Sequence, residues 1–158
     1  RNNGHTVKKM ENPMRKTCNI IIIILLTLTA YSCENVFHND ELDFMWRLDS
    51  VEFIDGVDFD GNPCTVATKE GLWLSFARDL VKVDDRNSYT SAIGILTDNG
   101  KQVSFDFSMY EEPEWPGTDT LLKSMGINTR LSTFSITMLD NKKLILTGDK
   151  TILRLTKW

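Results

Sequence analysis

Chemistry in a polypeptide starts from groups that can attack, ionise or bind a metal, and in this chain the thiols and imidazoles among them are few and scattered. There are three cysteines and two histidines. Cys18 precedes an apolar run, Cys33 ends the tetrapeptide Ala30-Tyr31-Ser32-Cys33, and Cys64 stands alone farther on. A thiol nucleophile needs a base fixed beside it. The only histidine after Cys33 is His38, in a short acidic stretch where nothing would hold its geometry or tune its pKa. Cys64 therefore reads as a small buried hydrophobe, with a nucleophile as the alternative.

Carboxylates crowd in two places. Residues 55–62, DGVDFDGN, bring Asp55, Asp58 and Asp60 together as a calcium loop would. The run lacks the glycine at the sixth position and the closing bidentate glutamate of an EF-hand, so it reads as a solvated hairpin loop. Residues 111–117, EEPEWPG, are rich enough in acid for glycosidase chemistry, but adjacent acids on a proline-broken loop lack the fixed separation that chemistry needs. A rim or lid is the better reading, with Trp115 capping the fold or meeting a partner. No catalytic residue, metal ligand or cofactor site is expected.

Cys33 has a different context. The apolar block 20–30, IIIIILLTLTA, would span roughly 16 Å as a helix, about half a bilayer core, and is too short for a stable span. Basic Arg15 and Lys16 precede it and small residues follow, which is the order of a secretory signal; a buried core helix is the alternative. Residues 30–33 resemble a bacterial lipobox of the relaxed kind common in Bacteroidetes lipoproteins, with Ala30 where leucine is usual. The resemblance implies cleavage before Cys33 and a diacylglyceryl group on its sulfur; ordinary secretion with cleavage nearby is the alternative. Met14 is the expected start of translation, with residues 1–13 upstream of it. The expected divisions are 1–32, removed; 33–43, lipidated cysteine and acidic tether; and 44–158, one folded domain. The expected destination is the bacterial cell envelope, at the outer membrane.

From Cys33 onward 13 Lys and Arg face 21 Asp and Glu, a net charge of −8 against −4 for the whole chain. The bases are scattered singly, so there is no electrostatic footprint for nucleic acid and no basic patch for anionic lipid. With Cys18 removed and Cys33 acylated, Cys64 has no intrachain partner, and the domain must stand on its core.

That core is built from strands. After Phe44 the sequence becomes short β-rich runs between turn residues, at 45–54, 65–69, 72–78, 80–84, 91–97, 102–110, 131–139, 143–147 and 151–157. Nine runs become eight if 72–84 is one bent strand. Asn99-Gly100 predicts a type I′ turn, which sets Leu96 opposite Val103, Gly94 opposite Phe105 and Ala92 opposite Phe107 on one inner face. Ile93 and Ile95 then point outward, unless the register is one residue off. A two-turn helix is expected at 119–125, capped by Asp119 and ended by Gly126, its Leu121, Leu122 and Met125 packing on the sheet.

Trp46 in the opening strand, Gly71-Leu72-Trp73-Leu74-Ser75-Phe76, Gly126-Ile127-Asn128 and the closing 153–158, LRLTKW, are similar to the small lipocalin-like lipoproteins of Bacteroidetes. The resemblance covers most of 44–158. It implies an all-β, up-and-down antiparallel barrel of about eight strands with one short helix and a lipid anchor. Residues 44–46 read Phe-Met-Trp where true lipocalins have Gly-x-Trp, so the carrier role of that wider family does not transfer directly. Two non-enzymatic functions are open: binding of a small apolar or amphipathic ligand by a hollow barrel, or an accessory, protein-interaction role in an envelope assembly with a filled one. Trp46, Trp73, Phe105 and Phe107 are the candidate ligand-binding residues, on the expectation that all four point inward. They would line a cavity or fill it.

Overall fold

A computed structural model describes residues 40–68, 70–108 and 117–158, all within the compact unit Phe37–Trp158. The described residues hold nine strands and one short helix: β1 Met45–Phe53, β2 Val66–Ala67, β3 Leu72–Ala77, β4 Leu80–Asp85, β5 Thr90–Asp98, β6 Gln102–Asp106, α1 Thr118–Ser124, β7 Leu131–Leu139, β8 Lys143–Thr147 and β9 Thr151–Lys157. From β3 to β9 each strand pairs antiparallel with the next, and β9 returns to β1 from Trp46↔Lys157 to Phe53↔Thr151. Eight strands thus close an up-and-down barrel, each of the eight paired on both sides. The ninth, β2, continues along β1 where β3 leaves it: Arg47 pairs with Trp73, and Val51 with Ala67.

Period-two alternation decides the inside of the barrel, and two bulges reset it. In β1, Trp46 and Leu48 point inward, a bulge between Leu48 and Ser50 shifts the phase, and Val51 and Phe53 point inward after it. In β7, Phe134 and Ile136 face the core, and a second bulge lies between Ile136 and Met138. The C-terminal meander, β7 to β9, spans the predicted residues, and the bulge in β7 explains why its alternation is hard to follow in sequence.

The β5–β6 hairpin forms at the expected place with a different turn. Asp98 pairs with Val103 and Leu96 with Phe105, two residues displaced from the predicted register. Gly100 has φ +78, whereas Asn99 is not among the residues with positive φ, so the type I′ turn does not form. Asn99 stands at the first position instead, its Oδ1 accepting the N–H of Lys101 and Gln102. A slip of two preserves the faces. Ala92, Gly94, Leu96, Val103, Phe105 and Phe107 are all buried, while Ile93 is exposed and Ile95 half-buried on the outer face. Gly94 meets Phe107 rather than Phe105: a Cβ there would lie 2.7 Å from the Asp106 carbonyl oxygen and 2.8 Å from Phe107 Cδ1. β6 ends at Asp106, short of the predicted 110; residues 109–116 lie outside the described segments.

The helix α1 starts one residue earlier than predicted. Its N-cap is Gly117, with no side-chain cap, and Asp119 lies in the first turn, where it pairs with Arg130 at 2.9 Å. Its end is a Schellman motif: Gly126, at φ +81, donates to the Lys123 carbonyl, and Ile127 donates to that of Leu122. Leu121, Leu122, Met125 and Ile127 are buried in the same core as the inner faces of the strands, so the helix is packed against the barrel through its apolar face. On the inner wall Thr151 donates to the Gly126 carbonyl at 2.7 Å and ties the helix exit to β9.

Candidate functional site

Aromatic rings pack together in the core of the barrel. Trp46, Phe105 and Phe107 are buried to within 1 % and belong to one core cluster. Phe105 is the hub, with ring centroids 5.8 Å from Phe76, 6.3 Å from Phe107 and 5.3 Å from Phe134. These spacings are those of rings in direct contact. Trp46 fixes the chain entering the barrel, its Nε1–H donating to the Leu42 carbonyl at 3.1 Å, with Leu42 itself buried. Three of the four candidate ligand-binding residues are thus brought together in one buried core cluster.

Trp73 is not with them. It lies opposite Arg47 on the outer face of β3, edge-on to Trp158 at 4.9 Å, with the Arg86 guanidinium 4.2 Å from its ring centre. The expectation that it points inward is corrected: Leu72, Leu74 and Phe76 take the inner face. Trp73 is 5 % exposed because Trp158 and Arg86 cover it from outside. Its Nε1–H has no hydrogen-bond partner among the described residues.

A concave site does form, at the end of the barrel where β1 finishes. The β1 bulge turns Val51 and Phe53 inward there, and the loop between β1 and β2 folds back so that Phe59 stands edge-on to Phe53 at 5.4 Å. With Cys64 and Ala67 they floor a cleft of about 440 Å³. The rim is polar: Asp58 and Asp60 on the loop, Thr120, Lys123 and Ser124 on α1. Lys123 reaches Asp60 across the opening at 3.5 Å. Asp58 is turned into its own loop, accepting the N–H of Asp60 and Asn62 and the Asn62 amide. The hydrogen bonds from Asn62, backbone first, hold its carboxyl below the usual value of 3.8. The crowded acids of 55–62 therefore build a turn, closed by the Val57↔Pro63 bridge, as the hairpin-loop reading expects.

Phe59 also borders a second depression of about 630 Å³, between the start of β7 and the β8–β9 turn, walled by Asn128, Thr129, Ser132, Asp149 and Lys150. Sequence reading did not find Phe59 or Lys123, since a mouth is assembled from a loop and a helix more than fifty residues apart. Cys64 is half-buried on the cleft floor rather than fully enclosed. Cys33, His38, the acids 111–114 and Trp115 lie outside the described residues.

A family model described as a lipocalin-like domain matches residues 25–158. Among curated proteins no match is found. Two solved structures share the architecture. A lipocalin-like protein from Bacteroides uniformis ATCC 8492 superposes with a TM-score of 0.57 at 17 % identity, covering 75 % of this chain and 99 % of that one. An uncharacterized protein from Bacteroides eggerthii DSM 20697 gives 0.54 at 16 % identity, covering 74 % and 99 %. With a closed eight-stranded antiparallel barrel, one short helix and a family match over most of its length, the chain belongs to the lipocalin-like domain family.

Proposed function

We propose that this protein is a non-enzymatic binding module of the bacterial cell envelope, held to the outer membrane by acyl chains on Cys33, and that it takes a small amphipathic ligand at its mouth. The observation that carries the reading is the division of apolar surface. Rings in contact pack around Phe105, whereas Val51, Phe53, Phe59, Cys64 and Ala67 floor an open cleft beneath a charged rim. That combination suits a ligand with an apolar body and a polar end. The lipocalin-like fold supports binding over catalysis, and so does the rim, where Asp58 is tied into its loop and Asp60 is paired with Lys123.

Titration of the purified protein with an environment-sensitive apolar dye tests this, alongside solvent extraction for co-purified lipid. Saturable uptake that is lost in Phe59→Ser is the expected result. A specific observation favours one other reading: Phe76, Phe105, Phe107 and Phe134 pack against one another inside the barrel, as in an accessory module that meets protein partners. No dye uptake and no extracted lipid would move the function to that reading.

A further inference from the structure

The end of the barrel where the chain enters carries exposed rings with cations beside them, Phe44 and Lys157 on the Trp46 side of the wall and Trp158 and Arg86 on the Trp73 side. Phe44, just before β1, is 42 % exposed, and the Lys157 ammonium lies 2.9 Å from its ring centre. Trp158 is 73 % exposed and is pinned at the same place, its N–H donating to the Met45 carbonyl at 3.0 Å. Arg86 lies over Trp73 and 6.0 Å from the Trp158 ring, and its guanidinium also reaches the Met45 sulfur at 3.4 Å. Trp73 thus forms a rigid floor under Trp158, which holds a large apolar ring out toward solvent.

We infer that Phe44, Trp158, Arg86 and Lys157 form an interfacial belt that seats the barrel on the lipid surface with the entry of β1 toward the membrane. The inference rests on the acyl anchor at Cys33 proposed above and adds the orientation. Tryptophan and phenylalanine with a cation beside the ring suit the headgroup region, where an amphipathic ring is half in hydrocarbon and the cation meets phosphate. Chain length points to the same occupant. The fold holds the chain from Asp40, through Asp43 N–H on the Asp40 carbonyl and Trp46 on the Leu42 carbonyl. Seven residue steps then separate Asp40 from Cys33, at most about 25 Å when fully extended. An acylated Cys33 keeps this end of the barrel close to lipid, and Phe44 and Trp158 are the large exposed rings at that end. The neighbouring acids limit the surface to a zwitterionic interface: Asp43 accepts the Arg78 N–H, Asp49 pairs with Arg47, and Asp40 and Glu41 are also engaged.

The test uses the full lipidated chain in phosphatidylcholine vesicles brominated near the headgroup end of the acyl chains, where bromine quenches tryptophan on contact. Flotation reads the anchor, and quenching reads the orientation. Wild type should co-float with part of its emission quenched, since Trp46 and Trp73 are buried and contribute little. Trp158→Phe should co-float equally, melt within a few degrees of wild type and lose at least half of the quenching, while Trp115→Phe keeps it. A co-floating wild type without quenching would overturn the belt and leave the anchor standing. So would quenching that Trp158→Phe retains or Trp115→Phe abolishes. A wild type that does not float removes the anchor, and the belt with it.

Discussion

At the scale of single residues, stability concentrates where one side chain meets many others. Phe105 touches Phe76, Phe107 and Phe134 and is shielded from water completely. Truncation would remove its transfer free energy and leave a hole that three rings cannot close. Phe105→Ala should therefore cost about 3–5 kcal/mol, read from denaturant unfolding. A loss under about 1 kcal/mol would mean that the core is loosely packed. Asp140 makes a second case, at the turn between β7 and β8. Its carboxylate accepts the N–H groups of Lys142 and Lys143, both at 2.7 Å, and the Lys142 bond is the main reason that its pKa lies below 3.8. A depressed carboxylate supports the fold above its ordinary pKa, and that support is lost as pH falls through the folded value. Asp140→Ala should lower the melting midpoint at pH 7, and its gap from wild type should narrow as pH drops below 3.8. A gap that is constant with pH would show that the charge is not what the turn uses. These residue roles depend on neighbours: aspartate before asparagine marks a turn in sequence, but the Phe105 hub exists only once β6 lies beside β7 and the sheet has curled to bring Phe76 of β3, separated from β6 by β4 and β5, against them.

At the scale of elements, two glycines do different work. Gly94 is buried on β5, and a Cβ would press on the backbone oxygen of Asp106, which cannot move without displacing β6. Gly126 holds the left-handed end of α1, where a Cβ would meet Leu153 and Val51 at 2.6 and 2.7 Å, atoms at the ends of side chains. Both alanine variants should be destabilised, by about 1–3 kcal/mol from crowding. The Gly94 variant should be the worse, and equal thermal shifts would contradict that. The sequence placed both glycines, one among small residues facing large ones and one after a helical run. It misplaced the hairpin register by two because Asn99-Gly100 suits more than one turn, and the chain uses the asparagine side chain as an acceptor instead.

At the scale of the whole molecule, the barrel closes on itself without covalent help. Cys64 is the free cysteine of the described residues, and the inner faces of eight strands share one core. The thermal midpoint of residues 34–158 should therefore be the same with and without reductant. A large drop on reduction would reveal an intermolecular disulfide. Barrel formation also sets where the mouth is, since the β1–β2 loop and α1 come to one opening only when β9 has paired with β1.

What the sequence determined by itself was local in origin. Turn residues and period-two alternation mark where strands begin and end, so β7, β8 and β9 are legible to the residue, and the closing strand that must return to an early one is legible with them. Tertiary structure alone decided the face of Trp73. Its run, Leu-Trp-Leu-Ser-Phe, is apolar on both sides, and a strand covered on both faces loses the alternation that distinguishes them. Trp158 and Arg86, distant in sequence, supply the outer cover. Whether the barrel is hollow was likewise beyond the sequence, because the axial space is what remains after side chains from every strand have been placed at once.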